Sequence, residues 1–186
     1  DSEWPTLNGP DNVTIFTTGG ATLHANRTVP NTLTLTRGLF NNSSNTLTLA
    51  NGGTISRAAG SLSAAPTFAG TENLNYVTGT SKITTGNEVR SAGVNNLTMA
   101  TTYGVTLGGN VTVNGTLNFS TTGNITTGAN KIILASGGSV TGAASSTGWV
   151  NGKLQKAIEV SATSATYEIG DTTTYTPVSL ALTNVT

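Results

Sequence analysis

The sequence predicts an all-β fold, read as a β-solenoid of tandem repeats with a C-terminal strand-rich element. Three observations carry that reading. Thr makes up about a fifth of the 186 residues and Gly another 23 positions, and neither suits a helix: Thr loses side-chain freedom there and Gly too much backbone freedom. Apolar residues recur at spacing two in very short runs, such as Leu47/Leu49, Val111/Val113 and Ile132/Leu134, which points both side chains of a pair to one face of a strand. The chain also writes one pattern twice, "NTLTLANGGTIS" (45–56) and "NKIILASGGSVT" (130–141), each an apolar alternation closed by a glycine pair. Packed antiparallel β-sandwiches are the alternative.

Residues 1–12 form an N-terminal segment whose opening, "DSEWP", suits a processed, secreted protein. Trp4, beside Pro5, is a candidate cap for one end of the core. Residues 13–56 and 96–148 are two copies of one β-repeat. "TTGGATLHANRTVPNTL" (17–33) lies over "TTYGVTLGGNVTVNGTL" (101–117) at an offset of 84, with identities from Thr17 to Leu33. One extra residue near Thr122 then moves the offset to 85. Self-similarity of this kind marks a repeat architecture. Within a copy, apolar pairs follow one another every 6–8 residues or so, spacing that suits a hairpin meander or a stack of coils with short faces. The corners favour coils, because Gly and Asn tolerate left-handed backbone. Small aliphatics suit a narrow interior, and Asn and Thr at the corners are expected to form hydrogen-bonded ladders between coils. Residues 57–95 are a connecting β segment with Phe68, Leu74, Tyr76, Val77 and Ile83. Residues 149–186 form the C-terminal element, where Val178, Leu180, Leu182 and Val185 follow a longer alternation. Trp149, at the boundary, is the second candidate core cap.

At this point the chain resembles a known family. "VNNLTMATTYGVTLGGNVTVNGTLNFSTTGNITTGANKIILASGGSVTG" (94–142), followed by "VNGKLQKAIEV" and "YEIGDTTTYTPVSLAL" (to 182), is similar to large secreted surface proteins of Bacteroidetes and neighbouring lineages, often exported by the type IX system. In these a β-repeat array precedes a module written roughly V-x-G-x-L-x-R, then F-P-I-G-D, then Y-x-P-V. Gly152, Leu154, Ile169-Gly170, Tyr175 and Pro177-Val178 fit; Lys156 stands where Arg is usual, and Glu168 replaces the Pro. The resemblance implies an extracellular, adhesin-like or scaffold role and brings no catalytic residue. The sorting domain of such cargo is not among these residues, so the chain is expected to be part of a longer protein or to be retained by another means.

Composition narrows the function classes. Only 9% of residues are charged, against about 25% in ordinary domains. Eight basic and eight acidic residues cancel, leaving no field to attract nucleic acid or an anionic membrane. No apolar run approaches the roughly 20 residues of a membrane span. Cys is absent, which fits either redox compartment. Hydrophobic residues at 35% in clean alternation argue against disorder.

Chemistry-bearing residues are sparse. No acidic residue lies between Asp11 and Glu72 or between Glu88 and Glu159, so neither repeat supplies the carboxylate pair of a glycosidase. Glu72, Lys82, Glu88 and Arg90 read as a solvated set of surface charges. His24 lacks the partners of a metal site and reads as a surface turn residue. No Gly-x-Ser-x-Gly elbow occurs. Trp4, Trp149, Tyr103, Tyr167 and Tyr175 are the aromatics available to stack on sugars, yet no two share a strand at platform spacing.

The expectation is therefore a non-enzymatic extracellular structural protein without cofactor or metal. It is a self-assembling subunit of a bacterial surface filament or layer, with copies of itself as partners. The candidate assembly strands carry Val13, Ile15 and Phe16 near one end and Val178, Leu180, Leu182 and Val185 near the other. The alternative is an adhesin stalk or carbohydrate-binding module gripping a surface polysaccharide through Asn, Thr, Tyr103 or Tyr175.

Overall fold

The chain turns through three short strands and returns to its starting face, again and again, building a β-solenoid of about eight turns. The computed structural model describes residues 4–5, 7–183 and 185; residues 1–3, the first of the expected N-terminal segment, lie outside that set. No helix occurs among the described residues.

The first strand of each turn enters one parallel sheet of seven: β1 (Asn12–Phe16), β4 (Thr32–Arg37), β7 (Gly53–Arg57), β10 (Glu72–Val77), β12 (Asn96–Ala100), β15 (Thr116–Phe119) and β18 (Ser139–Thr141). The second builds two parallel sheets, β2 (Ala21–Thr22), β5 (Leu39–Asn41) and β8 (Ser61–Leu62), then β11 (Ile83–Thr84), β13 (Val105–Thr106), β16 (Ile125–Thr126), β19 (Val150–Asn151) and β22 (Ile169–Gly170). The third gives β3 (Arg27–Val29), β6 (Leu47–Leu49) and β9 (Thr67–Phe68), then β14 (Val111–Val113), β17 (Ile132–Leu134) and β20 (Leu154–Lys156). Among the described strands only β21 (Ser164–Tyr167) and β23 (Val178–Ala181) pair with each other antiparallel, as a separate ribbon. Parallel neighbours need a crossover, and here the rest of the turn supplies it.

Partner residues on the seven-stranded face fix the period. Asn12 lies beside Thr32, Thr32 beside Thr54, Asn73 beside Thr54 and Asn96 beside Asn73. Each turn is thus about 20 residues long, and four turns carry the chain from Asn12 to Asn96, which is the 84-residue offset of the sequence repeat. Residues 57–95 continue the same winding rather than merely connecting two bodies. So does the start of the C-terminal element: Val150 stacks on Ile125 and Ile169 on Val150.

The duplicated glycine pair has a backbone cause. Gly52 and Gly137 hold φ of 78° and 77°, the left-handed region that L side chains avoid. Gly53 and Gly138 follow, and a Cβ at either would press on the carbonyl oxygen three residues earlier, that of Ala50 or Ala135.

Inside, each inward position forms a column running along the axis. Val13, Leu33, Ile55, Leu74, Leu97, Leu117 and Val140 make one column, and its five central members are at most 1% exposed. Burying each such side chain contributes about 1.5–3 kcal/mol. At the corners Asn side chains bridge turns: Asn26 accepts from the Thr46 N–H (2.7 Å), Asn51 from Thr71 (2.8 Å), Asn110 from Lys131 (3.1 Å) and Asn124 from Trp149 (3.0 Å). These are the ladders the corner composition predicts. They also answer backbone groups that would otherwise lack a partner where strands stop.

Candidate functional site

The second inward column of the seven-stranded face runs Ile15, Leu35, Arg57, Tyr76, Met99, Phe119. It places a guanidinium inside the rod. Arg57 lies 2.5 Å from the Glu88 carboxylate, whose Oε1 also accepts from the Tyr76 hydroxyl at 2.7 Å and the Gly86 N–H at 3.0 Å. Glu88 is 1% exposed. Glu72 is 0% exposed, in phase with Leu74 and Tyr76 on β10, and neither of its carboxylate oxygens has a hydrogen-bond partner. Burial first, then the nearby Glu88 charge, raise the Glu72 carboxyl from 4.5 to about 8; the charge and backbone N–H of Arg90 pull the other way without closing a hydrogen bond. Glu72 is therefore protonated at neutral pH. Burial and then the Glu88 charge push the Tyr76 phenol well above its ordinary value.

These positions overturn the solvated reading of Glu72, Lys82, Glu88 and Arg90 for both acids. Lys82 is exposed, its Nζ donating to Thr126 Oγ1 at 2.8 Å, and Arg90 sits at a half-buried margin with its guanidinium 6.0 Å from the Phe68 ring. The signal for Glu72 was present in "ENLNYV", where Glu72, Leu74 and Tyr76 share one face. Glu88 lies in a turn and has no such phase. Glu88 is shut from solvent and neutralised by Arg57, so the pair bears on the stability of the fold. Among the described residues no group of three or more His, Cys, Asp or Glu converges as a metal site.

The candidate assembly strands lie at opposite ends. β1 pairs with β4 alone, so its other edge has no strand partner among the described residues. Ile15 is buried, Val13 packs against the core, and Phe16 is 60% exposed under the Arg37 guanidinium. At the far end β23 pairs only with β21, leaving Val178 and Leu180 exposed. Leu182 continues the ribbon by donating its N–H to the Thr163 carbonyl, and the Val185 carbonyl accepts from Ser161.

Trp4 packs against the core beside Phe40, with ring centroids 6.5 Å apart. It lines a 400 Å³ mouth with Val13, Ile15, Leu23, Phe40 and exposed His24 at the β1 end. Trp149 is buried near the other end; its Nε1 donates to the Asp171 carbonyl at 2.8 Å and Tyr175 tilts against it at 5.8 Å. Gly170, Asp171 and Tyr175 of the C-terminal element contact it. Gly170 lies under the Trp149 ring, and Asp171 accepts from the N–H groups of Thr173 and Thr174. Those bonds hold its carboxyl below the usual range. Lys156 and Glu168 form an ion pair at 2.6 Å.

No protein-family model, curated protein or solved structure matches this chain. No helix among the described residues is long and apolar enough to cross a membrane.

Proposed function

We propose that this chain is a non-enzymatic, extracellular structural segment that assembles by β-strand contacts into a bacterial surface filament or layer. The observation that carries the reading is the presence of two unlike ends: the edge of β1, which no described strand covers, and the β21–β23 ribbon with Val178 at 45% and Leu180 at 42% exposure. An open strand edge templates addition of another strand. Two different end surfaces favour head-to-tail, open-ended contacts over a closed dimer. With charge at 9%, little electrostatic repulsion opposes stacking.

Light scattering after size exclusion, together with negative-stain microscopy across a concentration series, tests this. The chain is expected to form concentration-dependent oligomers or fibres that Phe16→Lys or Leu180→Lys suppresses. Both side chains are exposed, so the fold is kept. A strictly monomeric wild-type chain at high concentration, with no fibres or arrays, would overturn the proposal.

A further inference from the structure

Of the five aromatics available for stacking, four are engaged. Trp4 lies on Phe40, Trp149 and Tyr175 lie on each other, and Tyr167 sits under the Lys156 ammonium at 5.8 Å. Tyr103 is 50% exposed and borders a 220 Å³ groove with Lys82, Asn124, Thr126, Asn151 and Thr172. Lys82, Tyr103, Asn124, Asn151 and Thr172 come from five successive turns of the rod. At the ~4.8 Å spacing of neighbouring strands, they extend about 19 Å along the axis.

The unspent polar atoms in this groove are numerous. The Lys82 ammonium has three donors and uses one, on Thr126. Asn124 spends its carbonyl oxygen on the Trp149 N–H, and its amide nitrogen has no acceptor among the described residues. Among the described residues, the side chains of Asn151 and Thr172 and the Tyr103 hydroxyl make no hydrogen bond. The groove holds no carboxylate, and the sequence has none between Glu88 and Glu159. Among the described residues Lys82 is thus a cation without a counter-charge, in a polar, axis-parallel groove bearing one exposed ring.

We infer that this groove binds a linear polysaccharide containing uronic acid residues. The sugar carboxylate meets Lys82, its C–H face lies on Tyr103, and hydroxyls along the chain bond to Asn124, Asn151 and Thr172. A ligand that is itself linear and repeating matches a groove built by one residue per turn. A single carboxylate-bearing sugar would use only one end of it. The site lies on the flank of the rod and does not depend on how subunits join end to end.

Calorimetric titration of the full chain tests the site, using polygalacturonate oligosaccharides and neutral cello-oligosaccharides of equal length. The uronate oligomer is expected to bind at least tenfold tighter than the neutral one and to weaken in high salt, since the contact to Lys82 is charge-assisted. Tyr103→Ala is expected to weaken binding about tenfold, a loss typical of removing one stacked ring, while Tyr103→Phe keeps it. Lys82→Gln is expected to erase the preference for uronate. An unchanged melting temperature shows that the exposed-site variants are folded. Three results would each overturn the proposal: no saturable binding of either sugar, equal binding of both by the wild-type chain, or uronate binding untouched by both variants.

Discussion

Glu72→Gln removes an ionisable group from the middle of the rod while keeping its shape. In the wild-type chain the buried carboxyl is raised from 4.5 to about 8. At about 1.4 kcal/mol per pH unit, ionising it inside the fold costs about 5 kcal/mol. Between those two pH values the native state holds a proton that the unfolded chain has released. Native stability therefore falls as pH rises across that window, the favourable contribution being complete below about 4.5 and gone above about 8. The Gln variant has no such proton to lose. For a chain of this size, with ~2–4 °C per kcal/mol, the difference between variant and wild type should grow by on the order of 10 °C from pH 4.5 to pH 9. Melting followed by circular dichroism at a series of pH values is the assay, supported by amide exchange along β10. Parallel curves for the two proteins at every pH would refute the assignment of Glu72 as a buried, protonated acid.

Three further outcomes follow from the same structure. Arg57→Met leaves the Glu88 carboxylate buried without its guanidinium and should destabilise by about 3–5 kcal/mol; adding Glu88→Gln should recover part of that loss, read by denaturant titration. Gly53→Ala forces a methyl against Leu49 and the Ala50 carbonyl and should cost about 1–3 kcal/mol. Gly109→Ala, where a Cβ meets nothing within 4 Å, should be neutral or stabilise by up to about 1 kcal/mol, because it restricts only the unfolded chain.

The strand pairs, the glycine corners and the solenoid class were legible because each has a local cause. Side-chain alternation has period two, and the left-handed corner at Gly52 recurs at Gly137 with almost the same φ. The single turn was hidden, because successive turns on the seven-stranded face differ in length: Asn12 to Thr32 is 20 residues, whereas Asn73 to Asn96 is 23. Only after four turns do those differences cancel, so self-comparison finds 84. The interior charges were hidden for another reason. A sparse set of ionisable residues in a Gly- and Thr-rich segment looks solvated, whereas Arg57 and Glu88 neutralise each other across 31 residues of chain. No pattern along the sequence encodes that meeting. Lys156 and Glu168, expected singly as departures from the motif of the resemblance, lie together as an ion pair.

The four-turn repeat turns gene length into a ruler. Each turn touches chiefly the turns directly before and after it, so inserting or deleting an 84-residue block leaves every surviving contact in register. The change in reach is about 19 Å per block at the strand spacing of a parallel stack. Recombination between the two copies can thus lengthen or shorten the rod without redesigning any interface.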